Sequence, residues 1–273
     1  MIPIYIISKA LEDRIHTPRL FLKAKIPFTL VVDTQDQEKE AHRLGCNNVV
    51  VSNCKGLNHT RNFVTELNGN NWFMELDDNI TGFTMLSSKY WKSDHVDPTD
   101  KSVQWRKEFR TPCSPQLFVK YMNEISILCE QRKTVFGGVA TTENPYFRAN
   151  KYSYRRFVKT KACVIKGGSG ILFKPPLSHD SYATAQVIAL YGSVVVCNYL
   201  FYDAPWYEKG GLGSRKEREA KGLLTYLENT IQEFPGLVGK ARGQNSALRI
   251  LLTKDKSVND WRRAHGYLSG GLF

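Results

Sequence analysis

No apolar run in this 273-residue chain approaches the ~20 residues that a membrane-spanning helix needs. The N-terminal run Ile2 to Ile7 is too short for the apolar region of a secretory signal. A chain neither membrane-embedded nor secreted is the expectation. The cysteines Cys46, Cys54, Cys113, Cys129, Cys163 and Cys197 include no C-x-x-C pair, which argues against a zinc ribbon and a thioredoxin-like site and fits reduced thiols in a cytosolic compartment. Internal repeats and low-complexity tracts are also missing. Acidic residues are in deficit: 26 Asp plus Glu face 38 Lys plus Arg, a formal charge of +12 that predicts attraction to polyanions, nucleic acid above all. What is present is enough to fold, because 42% apolar and 12% aromatic residues exclude disorder as the default.

The first third alternates strand and helix patterns. Pro3 to Ile7 and Pro27 to Val32 are short apolar runs suited to buried parallel strands. Between them Thr17-Pro18 offers an N-cap and a first-turn proline to a helix striped by Leu20, Phe21 and Ala24. A polar helix over 35–44, a strand at 49–51, a helix over 57–67 and a strand at 72–76 follow. Four strands separated by three helices predict right-handed crossovers and an α/β, doubly wound sheet with helices on both faces. Residues 89–113 read as a long loop and 115–132 as a helix packed on the sheet. Strands are expected at 135–140, 162–165, 170–173 and 194–201, with a helix over 182–191. Residues 206–273 read as a basic helical region, set apart from a half spanning 1–88 and a second half spanning 89–205.

In such sheets ligands sit beyond the carboxyl ends of the strands. There the chain places Ser8-Lys9, Asp33, Ser52-Asn53 and Asp77-Asp78-Asn79. The last is the sharpest local signal. Two adjacent carboxylates closing an apolar strand repel one another unless a cation neutralises them, and oxygen ligands favour Mg2+ or Mn2+ bridging phosphates. A solvated turn is the competing reading.

Ser8-Lys9, Asp33, the helix stretch Gly56 to Asn62 and Leu76 to Asn79, in that order, resemble the nucleotide-binding half of GT-A fold, Rossmann-like glycosyltransferases. The resemblance covers roughly the first eighty residues. It implies a UDP-sugar donor, with Ser8, Lys9 and Asp33 on the nucleotide side, Arg61 and Asn62 on the nucleotide, and Asp77, Asp78 and Asn79 at the metal and diphosphate, Mn2+ or Mg2+ being the ion. Asn79 departs from the usual third carboxylate, which weakens the set for a hard cation. Further along, Gly167 and Gly168 resemble the glycine stretch beside the donor, or else form a tight turn. Asp180, before a helix, resembles the general base of inverting members, or else caps that helix. His265 resembles a late histidine that completes the metal shell, against the reading of a surface histidine.

Lys151, Tyr154, Arg155, Arg156, Lys159 and Lys161 interleave cations with rings, a composition suited to phosphate contacts and base stacking, and Arg215 and Lys216 belong to a second basic stretch from Lys209 to Lys221. Solvated basic faces are the alternative. With the strand Trp72 to Asn79, this basic half most resembles phage DNA-base glycosyltransferases related to the TET/JBP-associated glycosyltransferases. That resemblance implies sugar transfer to 5-hydroxymethylcytosine in double-stranded DNA by a monomer or weak dimer in the host cytoplasm. Trp91, Trp105, Tyr154 and Trp206 are candidates to support a flipped base. Competing readings are a glycosyltransferase with a saccharide or protein acceptor, a nucleotidyltransferase (disfavoured by the absence of an early glycine-rich phosphate signature), and a non-catalytic nucleic-acid-binding protein.

Overall fold

The computed structural model describes residues 1–9, 11, 15–87, 110–140, 150–205, 215–241 and 244–268. Strands β1 (Ile4–Ile7), β2 (Thr29–Val32), β3 (Val49–Val51) and β4 (Trp72–Asp77) alternate with helices α1 (His16–Lys23), α2 (Gln35–Arg43) and α3 (Leu57–Leu67). All four strands run parallel, in the spatial order β3-β2-β1-β4. Apolar runs too short for helices form these strands, and local chemistry fixes the boundaries. At α2, Thr34 and Gln37 form a capping box that satisfies backbone donors at both its ends.

The chain continues through β5 (Gly82–Leu86), β6 (Arg110–Pro112), α4 (Pro115–Gln131), β7 (Phe136–Val139), β8 (Tyr152–Ser153), β9 (Ala162–Lys166), α5 (His179–Tyr191), β10 (Val195–Cys197) and β11 (Leu200–Asp203). Beyond β4 the large sheet adds β9, β7, β10 and β8, with β9 and β8 antiparallel to their neighbours. The result is an eight-stranded mixed sheet, and β11, β5 and β6 form a second, three-stranded antiparallel one. The last described part holds α6 (Arg215–Ala220), α7 (Leu223–Glu233), a β12 (Val238–Ala241) and β13 (Gln244–Ile250) hairpin, and α8 (Asp255–Ala264).

Side-chain alternation along β4 divides the core. Met74 and Leu76 join Phe21, Phe118 and Met122 on the face covered by α1 and α4. Phe73 joins Val64, Ile165, Tyr182 and Ile188 on the face covered by α3 and α5. With a period of two, Glu75 and Asp77 project to that second face. The two nearly dry layers explain why β4, flanked by β1 and β9, is apolar on both sides.

Several expectations need correction. No strand forms at 170–173. The run 194–201 divides, because Asn198 and Tyr199 separate β10 in the large sheet from β11 in the small one. The region 206–273 contains a β-hairpin as well as helices. The expected loop 89–113 ends in β6, and its residues 89–109 lie outside the described residues, as do Trp91, Trp105 and Trp206 and the start of the stretch from Lys209. Thr17 does not cap α1; Ile15 occupies that position and Thr17 is buried for another purpose. No helix among the described residues is long and apolar enough to cross a membrane.

Candidate active site

The carboxyl ends of β1, β2 and β4 and the N-terminus of α5 meet at one rim. Register starts the construction. Ile7 of β1 pairs with Asp77 of β4, so the following residues, Ser8 and Asp78, are neighbours. The Ser8 hydroxyl donates to Asp78 Oδ2 at 2.7 Å, and both side chains are buried. From below, Thr17 clamps the turn: its N–H donates to the Asp78 carbonyl at 2.9 Å, its hydroxyl to the Asp77 carbonyl at 2.6 Å, and it accepts from the Ile80 N–H at 2.9 Å. The acidic turn is therefore fixed in place by its own chain.

On the α3/α5 face, Arg61 is 1% exposed and spends its guanidinium on protein groups. Nε donates to Glu75 at 2.5 Å, one terminal nitrogen to His179 Nε2 at 2.5 Å, and the other to Asp77 Oδ1 at 2.8 Å. A guanidinium has no acceptor, so His179 Nε2 must be unprotonated and the imidazole neutral. Burial, and then the Arg61 charge, lowers His179 to about 3. Burial raises Glu75 to about 7 even beside Arg61. The expectation that Arg61 touches a nucleotide is thus corrected: it holds Asp77 in place from the interior. Asn62 is likewise occupied, its side-chain oxygen accepting from the Phe173 N–H at 2.9 Å.

At the end of β2, Asp33 Oδ1 collects Lys9 Nζ at 2.5 Å, Ser52 Oγ at 3.2 Å and Thr60 Oγ1 at 3.4 Å. Lys9 also reaches Thr60 at 2.6 Å, and Gln37 ties the Lys9 carbonyl to α2. The Lys9 and Asp33 side chains keep 23% and 22% exposure, enough to face a ligand.

Asp180 opens α5 one residue from His179. Its Oδ1 accepts from the Ser181 N–H at 2.8 Å and its Oδ2 pairs with Lys159 Nζ at 2.6 Å. Burial works to raise this carboxyl, and the Lys159 ammonium and the Ser181 N–H outweigh it, leaving it lowered to about 2. The expected cap is corrected: Ser178 holds the N-cap position with no side-chain cap bond, and Asp180 lies in the first turn of α5 with one oxygen on the Ser181 N–H and the other on a cation. Burial, then the charges of Asp77 and Asp180, push the Tyr202 phenol up, so both carboxylates act on one ring at the rim.

Because β9 runs antiparallel to β4, Leu76 faces Ala162, and the residues just before β9 lie at this rim. The Asp77 N–H donates to the Lys161 carbonyl at 3.0 Å, and Lys161 Nζ sits 3.4 Å from Asn79 Oδ1. Lys159 and Lys161, expected in a nucleic-acid patch, lie at the acidic rim.

Other expected residues lie elsewhere. Trp72 faces Lys166, so Gly167 and Gly168 are at the opposite edge of the sheet, where a Cβ on Gly167 would meet the Gly69 carbonyl at 2.3 Å. They are packing glycines, remote from Asp77. His265 is exposed and stacks on Trp261 with centroids 4.3 Å apart. Its helix is anchored by Arg262 to the Ala189 and Leu190 carbonyls near the far end of α5, and Ala189 lies about 15 Å along the helix from His179. His265 therefore closes no shell at the acidic turn. Arg155 bonds the Tyr154 carbonyl and Asp255, which joins the segment after β8 to α8, while Arg132 at the end of α4 lies 3.6 Å over the Tyr154 ring. Lys151, Arg156 and Lys216 are exposed, and Arg215 begins α6.

A resident Mg2+ or Mn2+ would find one oxygen of each member of the acidic triplet already engaged. Asp77 Oδ1 is committed to Arg61, Asp78 Oδ2 takes the Ser8 hydroxyl, and a lysine ammonium stands at the Asn79 amide oxygen. Among the described residues no group of three or more His, Cys, Asp or Glu side chains is arranged to hold a metal ion. Sequence reasoning missed Glu75, His179, Thr17, Thr60 and the site role of Lys159. Glu75 was detectable as a carboxylate in phase with Phe73 on a buried strand, which requires an internal cation. No protein-family model matches the chain, and no curated protein matches it.

Proposed function

We infer that the chain is a GT-A type glycosyltransferase that moves a sugar from a UDP-sugar to the hydroxyl of 5-hydroxymethylcytosine in DNA. The observation that carries this reading is the convergence of Lys9-Asp33, Ser8-Asp78, Asp77 and Asp180 on one rim, at the carboxyl edge where open α/β sheets take ligands. In this reading the partly exposed Lys9 and Asp33 pair faces the nucleoside, and the β4 turn faces the diphosphate.

For transfer with inversion, the acceptor oxygen bonds to C1 of the sugar as the bond from C1 to the β-phosphate oxygen breaks. The bonding electron pair leaves on UDP, and the acceptor proton goes to Asp180. A carboxyl held at about 2 is ionised throughout the neutral range.

One observation favours a second acceptor class. Lys159 and Lys161 lie at the acidic rim, Arg132 stacks on Tyr154 and Arg155 is held in the junction with α8, so fewer cations remain for DNA than the composition suggests. A saccharide or protein acceptor is that reading.

Incubation with hydroxymethylated or unmodified DNA and a panel of UDP-sugars, followed by mass spectrometry of the nucleosides, tests the assignment. The expected result is a hexose or pentose increment on hydroxymethylcytosine alone. UDP release with no labelled nucleoside moves the acceptor to the second class, and no turnover of any UDP-sugar overturns the enzyme reading. Asp180→Asn is expected to lower kcat by about a hundredfold or more while the KM for donor stays within about twofold.

A further inference from the structure

We propose that the surface where the end of α4, the segment after β8 and the start of α8 meet is a binding site for a phosphate group, with Arg132 as its principal contact. The site is separate from the acidic rim and does not depend on what that rim binds.

Its place follows from strand direction. β9 is antiparallel to both β4 and β7, so β7, and β10 parallel to it, run in the same sense as β4. Arg132 closes α4 shortly before β7, and the Val194 N–H, just before β10, donates to the Tyr154 carbonyl at 3.2 Å. Both points therefore lie at the edge of the sheet opposite Asp77. Arg262 reaches the same edge, donating to the Ala189 and Leu190 carbonyls near the end of α5.

Cations outnumber anions there. Arg155 pairs with one oxygen of Asp255, and Arg132 Nη1 lies 4.0 Å from the other. Arg262 is buried and its partners are neutral carbonyls. Burial lowers Arg155, Asp255 restores part of the loss, and the Arg132 charge lowers it further; burial and then the Arg155 charge lower Arg262. Three guanidiniums thus act on one another around a single carboxylate. Acceptors are short as well. The Arg155 side chain is 9% exposed and its Nε is buried with no hydrogen-bond partner, a condition that costs stability. Lys133, Lys254 and Lys256, next to Arg132 and Asp255 along the chain, are exposed and add to the positive charge.

Arg132 is the member of this group suited to meet a ligand. Its guanidinium carbon lies 3.6 Å over the Tyr154 ring while the side chain keeps 38% exposure. Stacking occupies a face of the guanidinium, and its in-plane N–H groups have only the 4.0 Å approach to Asp255 among the described residues. A planar fork already held on a ring matches two oxygens of a phosphate and gives up little freedom in binding them. The phosphate brings the negative charge and the acceptors that the cluster lacks. Lys254, the N-cap of α8, makes no side-chain cap bond, so the positive end of that helix also faces this junction without a cap.

The test is calorimetric titration of inorganic phosphate into the full chain at fixed ionic strength in chloride, for wild type, Arg132→Gln and the double variant Lys254→Ala with Lys256→Ala, with a melting curve for each. The wild type is expected to bind phosphate with a Kd of about 1 mM or tighter. Arg132→Gln keeps a stem over Tyr154 and removes the charge, and is expected to weaken phosphate by about tenfold or more. The double variant is expected to weaken it by about threefold at an unchanged melting temperature. A wild type that takes up no phosphate overturns the proposal, and so does an Arg132→Gln variant that binds phosphate like the wild type, which would place the anion elsewhere. If Arg132→Gln melts well below the wild type, the double variant decides, and unchanged phosphate affinity there overturns the site. Fluorescence anisotropy of a labelled duplex across a salt series then separates two sources of the phosphate. A salt slope reduced by about 1 in Arg132→Gln assigns the site to the nucleic-acid backbone, and an unchanged slope with phosphate binding lost assigns it to a small phosphorylated molecule.

Discussion

His179 shows how much one buried side chain can impose. It is 5% exposed, accepts a hydrogen bond from Arg61, and is lowered to about 3 from an ordinary value of 6.5. As pH falls from 6.5 toward 3, the unfolded chain takes up a proton here that the native chain refuses, so stability falls with pH across that window. Glu75, raised from 4.5 to about 7, works in the opposite sense: its native proton stabilises at low pH and that contribution is lost as pH rises toward 7. Asp180, lowered from 3.8 to about 2, adds a loss of stability only below 3.8. His179→Gln keeps an acceptor for Arg61 and removes the titration. Urea unfolding midpoints are therefore expected to converge for the two proteins as pH drops from 7 to 4.5, with the wild type losing about 2–3 kcal/mol relative to the variant. Parallel pH profiles for the two proteins would remove His179 from this role.

At the scale of elements, the parallel strands and their helices were readable because each apolar run is bounded by a cap or a polar end, as Asp33 and Thr34 close β2 and open α2. The site was readable for the same reason at Ser8, Asp33 and Asp77, which follow or end such runs. What sequence could not supply was strand direction. A basic run before a strand lies at the ligand edge only if that strand is antiparallel, so Lys159 and Lys161 read as a patch and Gly167 as a donor loop until β9 was placed against β4. Arg61 misled for a different reason, since an arginine on a helix beside a ligand edge looks like a ligand contact, and its burial depends on Glu75 and His179 from two other elements. The placement of Gly167 makes a testable distinction. An added Cβ meets the carbonyls of Gly69 at 2.3 Å and Thr65 at 2.9 Å, backbone atoms that cannot move aside singly. Gly167→Ala is expected to cost about 1–3 kcal/mol by thermal or chemical unfolding while UDP affinity stays within about twofold. Loss of UDP affinity at unchanged stability would return the glycine to the donor site.

For the whole molecule the open quantity is how much of the +12 charge reaches a partner. Four of the cations counted in it are held at the acidic rim: Lys9 by Asp33, Arg61 by Glu75 and Asp77, Lys159 by Asp180, and Lys161 beside Asn79. Arg155 is a fifth, 9% exposed and bonded to Asp255 at the start of α8. Charge summed over a sequence therefore overstates the field presented to DNA. Lys151 and Lys216, by contrast, are exposed. If the acceptor is duplex DNA, each phosphate contact contributes about −0.9 to the slope of log affinity against log salt, and about four contacts would mean a loss of about a hundredfold over a fourfold rise in salt. The double variant Lys151→Ala with Lys216→Ala is expected to reduce the slope by about 2, since each lysine neutralises one phosphate, while thermal stability stays near that of the wild type. Arg155→Ala is expected to do the reverse, lowering stability by breaking the junction between β8 and α8 and leaving the slope nearly as it was. Fluorescence anisotropy on a labelled duplex across a salt series reads both. A wild-type slope near zero would remove DNA as the acceptor, whatever the net charge, and would favour the saccharide or protein alternative at the same rim.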